Sequence, residues 1–265
     1  NVELAVAAVL ELFAPRETQP DPGVHSSAVV DPSAVIGEGA RIGPHVVVGP
    51  GCIVGVGVVL HAGVVLYEET VIDDHSELHA GTVVRARCHI GRRCILHQNV
   101  SIGADGFGYR PAADGQSLRK MPHIGNVGIG DEVEIGANSA VDRAKFGSTT
   151  VGNGTKIDNL VQIGHNCRVG AHVVIAALSA LAGSVTVGDW TQIGGDVVIS
   201  DHVTIGKRAR IGGGSGVMSD LPDGASVLGR PAQPHREQLR QWAAARKLPG
   251  LIQSIRESER PAGEA

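Results

Sequence analysis

Aliphatic residues recur at every sixth position over most of this 265-residue chain. One uninterrupted series spans 36–102, a second spans 151–217, and a short one spans 129–141. Hydrophobic residues make up 42% of the chain, so chance does not produce uninterrupted series of this length. The members are Ile36, Ile42, Val48, Val54, Leu60, Leu66, Ile72, Leu78, Val84, Ile90, Leu96, Ile102; Ile129, Ile135, Val141; and Val151, Ile157, Ile163, Val169, Ile175, Leu181, Val187, Ile193, Ile199, Ile205, Ile211, Val217.

The residue four positions after each aliphatic one is small or β-branched, as at Ala40, Val46 and Thr70. This is the pattern of hexapeptide-repeat β-helices, in which each six-residue unit is one short strand and a turn. Three units form a triangular coil, and successive coils stack at the parallel-strand spacing of about 4.8 Å. Aromatic residues are only 3% of the chain against 37 glycines, which suits a narrow interior of Val, Ile and Leu. We predict a mainly β fold, a parallel β-helix of hexapeptide repeats.

The four cysteines test this register. Cys52, Cys88, Cys94 and Cys167 all fall at the fourth position after an aliphatic residue, so they point inward. The sequence has no CxxC spacing, which weakens a metal or disulfide role. We interpret all four as small buried hydrophobic residues.

The repeat divides the chain into three parts. Residues 1–23 are predicted to form an N-terminal helix and linker, residues 24–230 the β-helix, and residues 231–265 a C-terminal helical extension. The repeat breaks at about 103–128, where the density of Gly, Pro and Asp predicts a loop extruded from the coil, and it slips again at 142–150. The extruded loop carries function or is a tolerated surface insertion, and the sequence leaves both interpretations open.

Basic residues mark the C-terminal extension at Arg236, Arg240, Arg246 and Lys247. The extension either caps the open end of the coil stack, where unpaired strand edges must be covered, or presents a basic surface to an acidic partner. We expect its helix to be interrupted at Pro249–Gly250.

Charge and hydropathy exclude several classes of protein. The net charge of −4 gives no reason to expect a nucleic-acid partner. No run reaches the roughly 18 apolar residues that span a bilayer, and the N-terminal segment lacks the basic region of a signal peptide. We therefore expect a cytoplasmic protein without a transmembrane segment. Because the first residue is Asn1 rather than Met, we expect the chain to be a processed or truncated form.

Candidate functional residues lie near one edge of the second series. His165 lies two positions after an interior isoleucine and therefore points away from the core. Gly183 follows one coil later and stacks beside it, with a backbone N–H available to a ligand. His202 follows after two coils and one residue, on about the same edge and roughly 10 Å away. Asp158 and Asn159 lie at the adjacent corner, and in a three-fold trimer they would flank the same cleft.

A second set of histidines is an alternative candidate for a functional site. His61, His79 and His97 are each separated by one coil and must form a vertical ladder on one edge. Imidazole is a common metal ligand, but rungs one strand spacing apart make tetrahedral binding by one ladder awkward. We favour solvated or subunit-interface histidines and assign no metal site.

Four segments carry a family likeness: IGADGFGY, KMPHIGNVGIGDEVEIGANSAVDR, KIDNLVQIGHN and LAGSVTVGDW. They resemble UDP-3-O-acylglucosamine N-acyltransferase, the hexapeptide-repeat enzyme of lipid A biosynthesis, and the similarity covers nearly the whole chain. The resemblance implies a left-handed β-helix and a homotrimer with active sites between subunits. It also implies transfer of a 3-hydroxyacyl group to the 2-amine of UDP-3-O-(3-hydroxyacyl)glucosamine, with no bound cofactor. The resemblance further implies that the acyl donor is carried on the 4'-phosphopantetheine of acyl carrier protein.

The resemblance also implies roles for individual residues. His165 matches the general base, and Gly183 matches the glycine whose N–H serves the oxyanion. His202 matches a histidine that contacts the nucleotide-sugar substrate, and Asn166 falls at a further substrate-contacting position. Asp158 and Asn159 are assigned to substrate binding from their place in the coil, because in the implied trimer they would flank the same cleft. The C-terminal helix matches the region that receives acyl carrier protein, which favours the basic-surface interpretation.

The sequence also departs from the family. A domain that holds the uracil ring precedes the coil in family members, and we expect it to have been lost before Asn1 here. The segment 142–150 departs from the usual continuation after Asp-Arg. Three alternatives stay open: an O-acyltransferase or acetyltransferase acting on another nucleotide sugar, a metal-dependent hydratase resembling γ-class carbonic anhydrases, and a non-catalytic scaffold.

Overall fold

The computed structural model describes residues 2–14 and 18–258. The chain begins with a helix, α1 (Val2–Phe13), in which no residue is buried. The helix is followed by a stack of short strands that reaches almost to the C-terminal helices. Within the described ranges, no helix is long and apolar enough to cross a lipid bilayer.

Most strands of the stack are only two residues long, as a six-residue strand-and-turn unit requires. In chain order they are β1 (Gly23–Val24), β2 (Val29–Val30), β3 (Val35–Ile36), β4 (Arg41–Ile42), β5 (Val47–Val48), β6 (Ile53–Val54), β7 (Val59–Leu60), β8 (Val65–Leu66), β9 (Val71–Ile72), β10 (Glu77–Leu78), β11 (Val83–Val84), β12 (His89–Ile90), β13 (Ile95–Leu96), β14 (Ser101–Ala104), β15 (Tyr109–Pro111), β16 (Leu118–Lys120), β17 (Asn126–Ile129), β18 (Glu134–Ile135), β19 (Ala140–Asp142), β20 (Ser148–Val151), β21 (Lys156–Ile157), β22 (Gln162–Ile163), β23 (Arg168–Val169), β24 (Val174–Ile175), β25 (Ala180–Leu181), β26 (Thr186–Val187), β27 (Gln192–Ile193), β28 (Val198–Ile199), β29 (Thr204–Ile205), β30 (Arg210–Ile211), β31 (Gly216–Val217), β32 (Ser226–Leu228) and β33 (Gln233–Pro234).

Three sheets of 12, 10 and 9 strands wind around one axis. The first sheet starts with β1 and β4, the second with β2 and β5, and the third with β3 and β6, so each coil contributes one strand to every sheet. Pairing is parallel throughout the coil, while the extruded loop forms its own antiparallel hairpin of β15 and β16. This arrangement confirms the predicted parallel β-helix.

The two breaks in the repeat leave the coil register intact. Within the regular coil, Ile42 pairs with Leu60, one coil of 18 residues later. Across the extruded loop, Ile95 pairs with Glu134, a separation of 39 positions and therefore an insertion of 21. Across the second break, Glu134 pairs with Lys156, a separation of 22 and an insertion of 4. Both insertions are therefore accommodated outside the stack.

The six-residue series forms the core. Every member from Ile42 to Val217 is buried, with no more than 4% of its surface exposed, whereas Ile36 in the first coil is half-buried. All four cysteines are buried and free, which confirms their inward register. Inward hydroxyls are satisfied by the next coil, as where Ser76 Oγ donates to the Gly91 carbonyl at 2.7 Å.

The C-terminal segment caps the first sheet. Strand β33 pairs antiparallel with β32, the last coil strand of that sheet, and leads into α2 (His235–Ala245) and α3 (Leu248–Ser258). The predicted interruption at Pro249–Gly250 is wrong, because the helix breaks at residues 246–247. Pro249 lies in the first turn of α3, where its missing N–H has no intrahelical partner to lose.

Candidate active site

A cavity of about 640 Å³ lies between the extruded loop and one edge of the coil. Residues 105–110 of the loop line one side, and the turns that carry His165, Gly183 and His202 line the other. The structure therefore brings together the three residues that their coil spacing places on one edge. The loop borders this cavity, so it is more than a remote surface insertion.

The imidazole of His165 lies directly against the backbone of Gly183. A Cβ atom at position 183 would lie 2.6 Å from Cε1 and 2.7 Å from Nε2 of His165. Real Cβ atoms do not approach other atoms this closely, so any larger residue at 183 must displace the ring. Glycine therefore leaves the room that the imidazole occupies here, and no strained backbone angle is involved.

The backbone N–H of Gly183 has no hydrogen-bond acceptor among the described residues. At the same turn position in several other coils, though not in all of them, an Asp or Asn side chain of the adjacent coil accepts this bond. Asp74 accepts from the Val56 N–H at 2.8 Å, and Asn159 accepts from the Ala137 N–H at 2.7 Å. An unsatisfied backbone N–H beside a cavity is available to an anionic ligand atom.

Asn166 determines which nitrogen of His165 is basic. Its Oδ1 accepts the Lys145 N–H at 2.9 Å and its Nδ2 donates to the Phe146 carbonyl at 3.1 Å, so the amide orientation is fixed. Oδ1 also lies 3.1 Å from Nδ1 of His165. Because an amide oxygen only accepts, Nδ1 carries the proton and Nε2 keeps its lone pair in the neutral ring.

His202 lies beside a second cavity as well. This cavity, of about 580 Å³, is also lined by Lys145, Asn166 and Arg168. The imidazole of His202 is exposed, and its residue has a left-handed backbone with φ of 60°. A ligand that occupies both cavities would contact cationic side chains in the second.

His123 is a residue of this site that the sequence did not reveal. It follows the loop hairpin, is 5% exposed, and its ring centre lies 5.0 Å from that of His165. Its Nδ1 lies 3.0 Å from the Met121 carbonyl, so Nδ1 carries the proton, and its Nε2 has no partner among the described residues. Burial and the neighbouring His165 lower the pKa of His123. The ring is therefore held neutral beside the candidate base.

Asp142 is a second residue that the sequence analysis missed. It lines the same cavity as His165 and is half-buried. Burial raises the pKa of Asp142 to about 6, although a hydrogen bond from Gln162 and the charge of His165 act in the opposite direction. A raised carboxyl pKa beside a histidine in a cleft is typical of a functional site. Its only sequence signal is its place at the second break of the repeat.

Buried and charged contacts hold the extruded loop against the coil. The buried Arg143 guanidinium donates to the carbonyls of Gly103 at 2.7 Å and Ala86 at 3.2 Å. Asp105 forms ion pairs with Arg85, at 3.2 Å, and with Lys120. The positive charges keep the pKa of Asp105 below its usual range. These contacts therefore fix the position of the loop beside the cavity.

Asp158 and Asn159 lie elsewhere within one chain. They line a separate cavity of about 510 Å³ together with His97 and Glu134. Asn159 holds the Ala137 N–H, and Asp158 Oδ2 accepts the Ala177 N–H at 3.1 Å. Their meeting with His165 across a subunit boundary stays a prediction.

Two further groups of residues are located by the structure. The four basic side chains of the C-terminal extension that the sequence analysis singled out are exposed. The thiol nearest in sequence to the candidate base, Cys167, is buried, and burial raises its pKa to about 11. A thiol with that pKa is a poor nucleophile at neutral pH, so Cys167 does not serve as one. The exposed basic residues are Arg236, Arg240, Arg246 and Lys247.

Comparisons with known proteins agree with the fold. The family model for the bacterial transferase hexapeptide (six repeats) matches residues 148–183, and that for the GMPPB C-terminal domain matches residues 24–107. The UDP-N-acetylglucosamine acyltransferase of Arabidopsis superposes with a TM-score of 0.65 at 26% identity, over 92% of this chain and 86% of that one. The Francisella novicida enzyme of the same name gives 0.63 at 26% identity, over 83% and 73%.

Sequence relatives carry a more specific name. The UDP-3-O-acylglucosamine N-acyltransferase 1 of Francisella tularensis subsp. tularensis is 43% identical over 97% of this chain and 74% of its own length. The UDP-3-O-acylglucosamine N-acyltransferase of Bordetella pertussis is 44% identical over 90% and 66%. That of a Methylobacterium species is 45% identical over 60% of this chain, and the match spans only 45% of the relative.

The repeat, the coil and these matches place the chain among the left-handed β-helix acyltransferases of the hexapeptide class. Relatives at this identity and coverage narrow the class further. The chain belongs to the UDP-3-O-acylglucosamine N-acyltransferase family.

Proposed function

We propose that this chain transfers a 3-hydroxyacyl group from acyl carrier protein to the 2-amine of UDP-3-O-(3-hydroxyacyl)glucosamine, a step of lipid A biosynthesis. The observation that carries the proposal is one pairing in the cleft. Nε2 of His165 keeps a lone pair because Asn166 fixes the tautomer, and the imidazole lies against Gly183, whose N–H has no acceptor in the described chain. A base beside an oxyanion donor is the minimum that acyl transfer to an amine requires.

The reaction proceeds by direct attack. The amine nitrogen forms a bond to the thioester carbonyl carbon while Nε2 of His165 removes a proton from the amine. The negative charge that develops on the carbonyl oxygen is stabilised by the N–H of Gly183. When the intermediate collapses, the C–S bond breaks and the imidazolium returns the proton to the departing pantetheine thiolate. The products are the amide and the free thiol of the carrier protein, and no cysteine takes part.

The surroundings of His165 support its role as base. Oδ1 of Asn166 accepts the Nδ1–H bond and favours the imidazolium that forms during attack. His123 is held neutral with Nε2 unprotonated, so it adds no competing positive charge near His165. Asp142 supplies negative charge once it ionises above a pKa of about 6.

The substrates are accommodated by the two neighbouring cavities. The acceptor amine and the thioester meet in the cavity of about 640 Å³ that His165 and Gly183 line. The diphosphate of the nucleotide sugar lies toward the second cavity, where Lys145, Arg168 and His202 supply positive charge and donors.

The donor and the assembly complete the proposal. Acyl carrier protein docks on the exposed basic residues of the C-terminal extension, and its 4'-phosphopantetheine arm carries the acyl chain to the cleft. Three chains assemble so that Asp158 and Asn159 of one chain reach the cleft of the next. No cofactor is retained by the enzyme.

The proposal is tested by acyl transfer with purified components. Wild type and His165→Ala are incubated with 3-hydroxyacyl carrier protein and the UDP-3-O-acylglucosamine acceptor, and the N-acylated product is measured. We expect a loss of about 10⁴-fold in the variant, at the upper end of the effect of removing a general base. His172→Ala, an exposed histidine on another turn, is the matched control and should retain activity.

Two outcomes would contradict the assignment. Near-normal transfer by His165→Ala would remove His165 as the base. Transfer by wild type to the hydroxyl of UDP-N-acetylglucosamine in place of the amine substrate would instead identify an O-acyltransferase.

A further inference from the structure

The histidine ladder lies on the first sheet, away from the cleft. His61, His79 and His97 directly follow β7, β10 and β13, and the pairing of these strands aligns them one above another. The rings of His61 and His79 stack with centres 4.7 Å apart and planes within 6°, and those of His79 and His97 with centres 5.2 Å apart. None of the three lines the cavity that contains His165.

A carboxylate that the sequence pattern did not reveal joins the lower two rungs. Glu77 Oε1 lies 2.6 Å from Nε2 of His61 and 4.0 Å from Nε2 of His79. One ligand atom from each of these three residues lies within 4.8 Å of the other two. The three side chains are 11–25% exposed, so the group is largely shielded but open to solvent.

We propose that His61, Glu77 and His79 form a binding site for a divalent cation of borderline softness, with Zn²⁺ as the representative ion. Two imidazoles and one carboxylate are a donor set that Zn²⁺ accepts, whereas Mg²⁺ and Ca²⁺ prefer oxygen ligands. The carboxylate resolves the difficulty that a ladder of histidines alone presents, because it bridges two rungs from the side. The site is independent of the proposed acyl transfer.

The site needs a small closure to bind the ion. Bonds of about 2.0–2.1 Å in a tetrahedral site separate the donor atoms by about 3.3 Å. The widest pair must therefore approach, while the His61–Glu77 pair must open from 2.6 Å and release the proton that it shares. His79 is the most buried of the three, so His61 and Glu77 make this adjustment by side-chain rotation. A solvent molecule supplies the fourth ligand.

The upper rung offers a less suitable pair. Glu134 Oε1 lies 3.0 Å from Nε2 of His97, but its other oxygen lies 3.7 Å from the Lys156 ammonium. A positive charge at that carboxylate opposes a cation. The proposal is therefore restricted to the lower group, where a bound ion would connect the coils of β7 and β10.

The test is a titration of the chelator-stripped full chain with Zn²⁺, in which calorimetry measures binding. Wild type should bind one Zn²⁺ at this site, and His61→Asn and Glu77→Gln should each weaken binding at least about 100-fold, since even second-shell changes cost 10–100-fold. Co²⁺ gives an independent readout, because its visible absorption reports nitrogen and oxygen coordination, and this absorption should be lost in both variants. As a control for folding, each variant should unfold at the wild-type temperature when chelator is present, so that weaker binding is not caused by a damaged fold.

Matched variants separate this site from other histidines. His89 Nε2 lies 2.8 Å from Asp73 Oδ2, a histidine–carboxylate pair without a second histidine at bonding distance. Asp73→Asn and His165→Asn should leave Zn²⁺ affinity unchanged. Equal affinity in Glu77→Gln and wild type, loss of binding in His165→Asn instead, or no saturable binding to wild type would each overturn the proposal.

Discussion

At the scale of single residues, Gly183 is the most constrained position of the cleft. A side chain at 183 would clash with the His165 ring. It would not strain its own backbone, because Gly183 does not have a left-handed φ. We predict that Gly183→Ala lowers kcat at least about 100-fold, since a base displaced by about 1 Å can lose that much activity. Steady-state kinetics and thermal unfolding measure the two effects separately.

Gly128→Ala is the matched control for that substitution. A Cβ at position 128 meets nothing within 4 Å, and this glycine also has an ordinary backbone angle. Activity and unfolding temperature should therefore stay close to those of wild type. If Gly183→Ala kept normal kcat, the contact between His165 and position 183 would not matter for catalysis.

Asp142 makes a second prediction at the residue scale, on the dependence of stability on pH. Its folded pKa of about 6 lies above the 3.8 of an unperturbed aspartate, so folding favours its protonated form. The stabilisation that protonation provides is present below pH 3.8 and is lost as the pH rises through about 6. Asp142→Asn should therefore gain stability relative to wild type between pH 4 and pH 8, by at most about 3 kcal/mol.

Urea unfolding of both proteins across this pH range measures the effect. Asp105→Asn is a control of opposite sign, because nearby positive charges keep the pKa of Asp105 low and its ionised form stabilises the fold. The contribution of Asp105 changes only below its ordinary pKa of 3.8, so between pH 4 and pH 8 that variant should be less stable than wild type by an amount that stays nearly constant. A stability difference for Asp142→Asn that does not change with pH would contradict the burial argument.

At the scale of elements, the coil was predictable because a single short-range rule encodes it. An aliphatic residue at every sixth position fixes which side chains enter the prism, and the buried series from Ile42 to Val217 follows that rule at every strand. The position of the cleft residues follows from the same rule. His165, Gly183 and His202 share an edge because their separations are close to whole numbers of coils.

The sequence predicted the position of the extruded loop but not its conformation. Its position is where periodicity stops, whereas its shape depends on partners far along the chain. Arg143 donates to carbonyls 40 and 57 positions away, and Lys120 reaches Asp105 across the hairpin. His123 was missed for the same reason, because it follows the hairpin and obeys no spacing rule. Asp142 ends the coil strand β19, so the repeat locates it, but nothing in the spacing distinguishes it from other outward residues.

Glu77 illustrates the same limit on the coil itself. The ladder of His61 and His79 follows from an 18-residue spacing, but the contact with Glu77 links different positions of neighbouring coils. Such a diagonal pair depends on side-chain rotamers, which periodicity does not specify. A site whose residues occupy the same repeat position could therefore be predicted from the sequence. A site that combines residues from different repeat positions could be found only in the structure.

At the scale of the whole molecule, the exposed charge of the C-terminal extension is opposite in sign to the net charge of the chain. The chain carries a net charge of −4, yet four basic residues are exposed on α2 and the turn that follows it. A local positive surface on an acidic molecule attracts an acidic partner by complementarity, not by net charge. This contrast supports docking of acyl carrier protein at the C-terminal extension.

Charge reversal tests that docking. We predict that Arg236→Glu combined with Arg240→Glu raises KM for acyl carrier protein about tenfold, because each exposed contact contributes about 1 kcal/mol or less. The KM for the UDP-sugar should not change, and neither should the rate with a small acyl-pantetheine donor. The wild-type KM should rise with ionic strength, and the variant KM should respond less.

Arg92→Glu provides the matched control, since Arg92 is an exposed arginine on the coil. It changes the net charge in the same direction, by half as much as the double variant, without altering the C-terminal extension, so its KM for acyl carrier protein should remain near the wild-type value. Increases in log KM in proportion to the change in net charge would mean that net charge, and not the C-terminal surface, governs the encounter. An increase confined to the double variant would assign the docking surface to α2, whose helix begins directly after the strand that closes the first sheet.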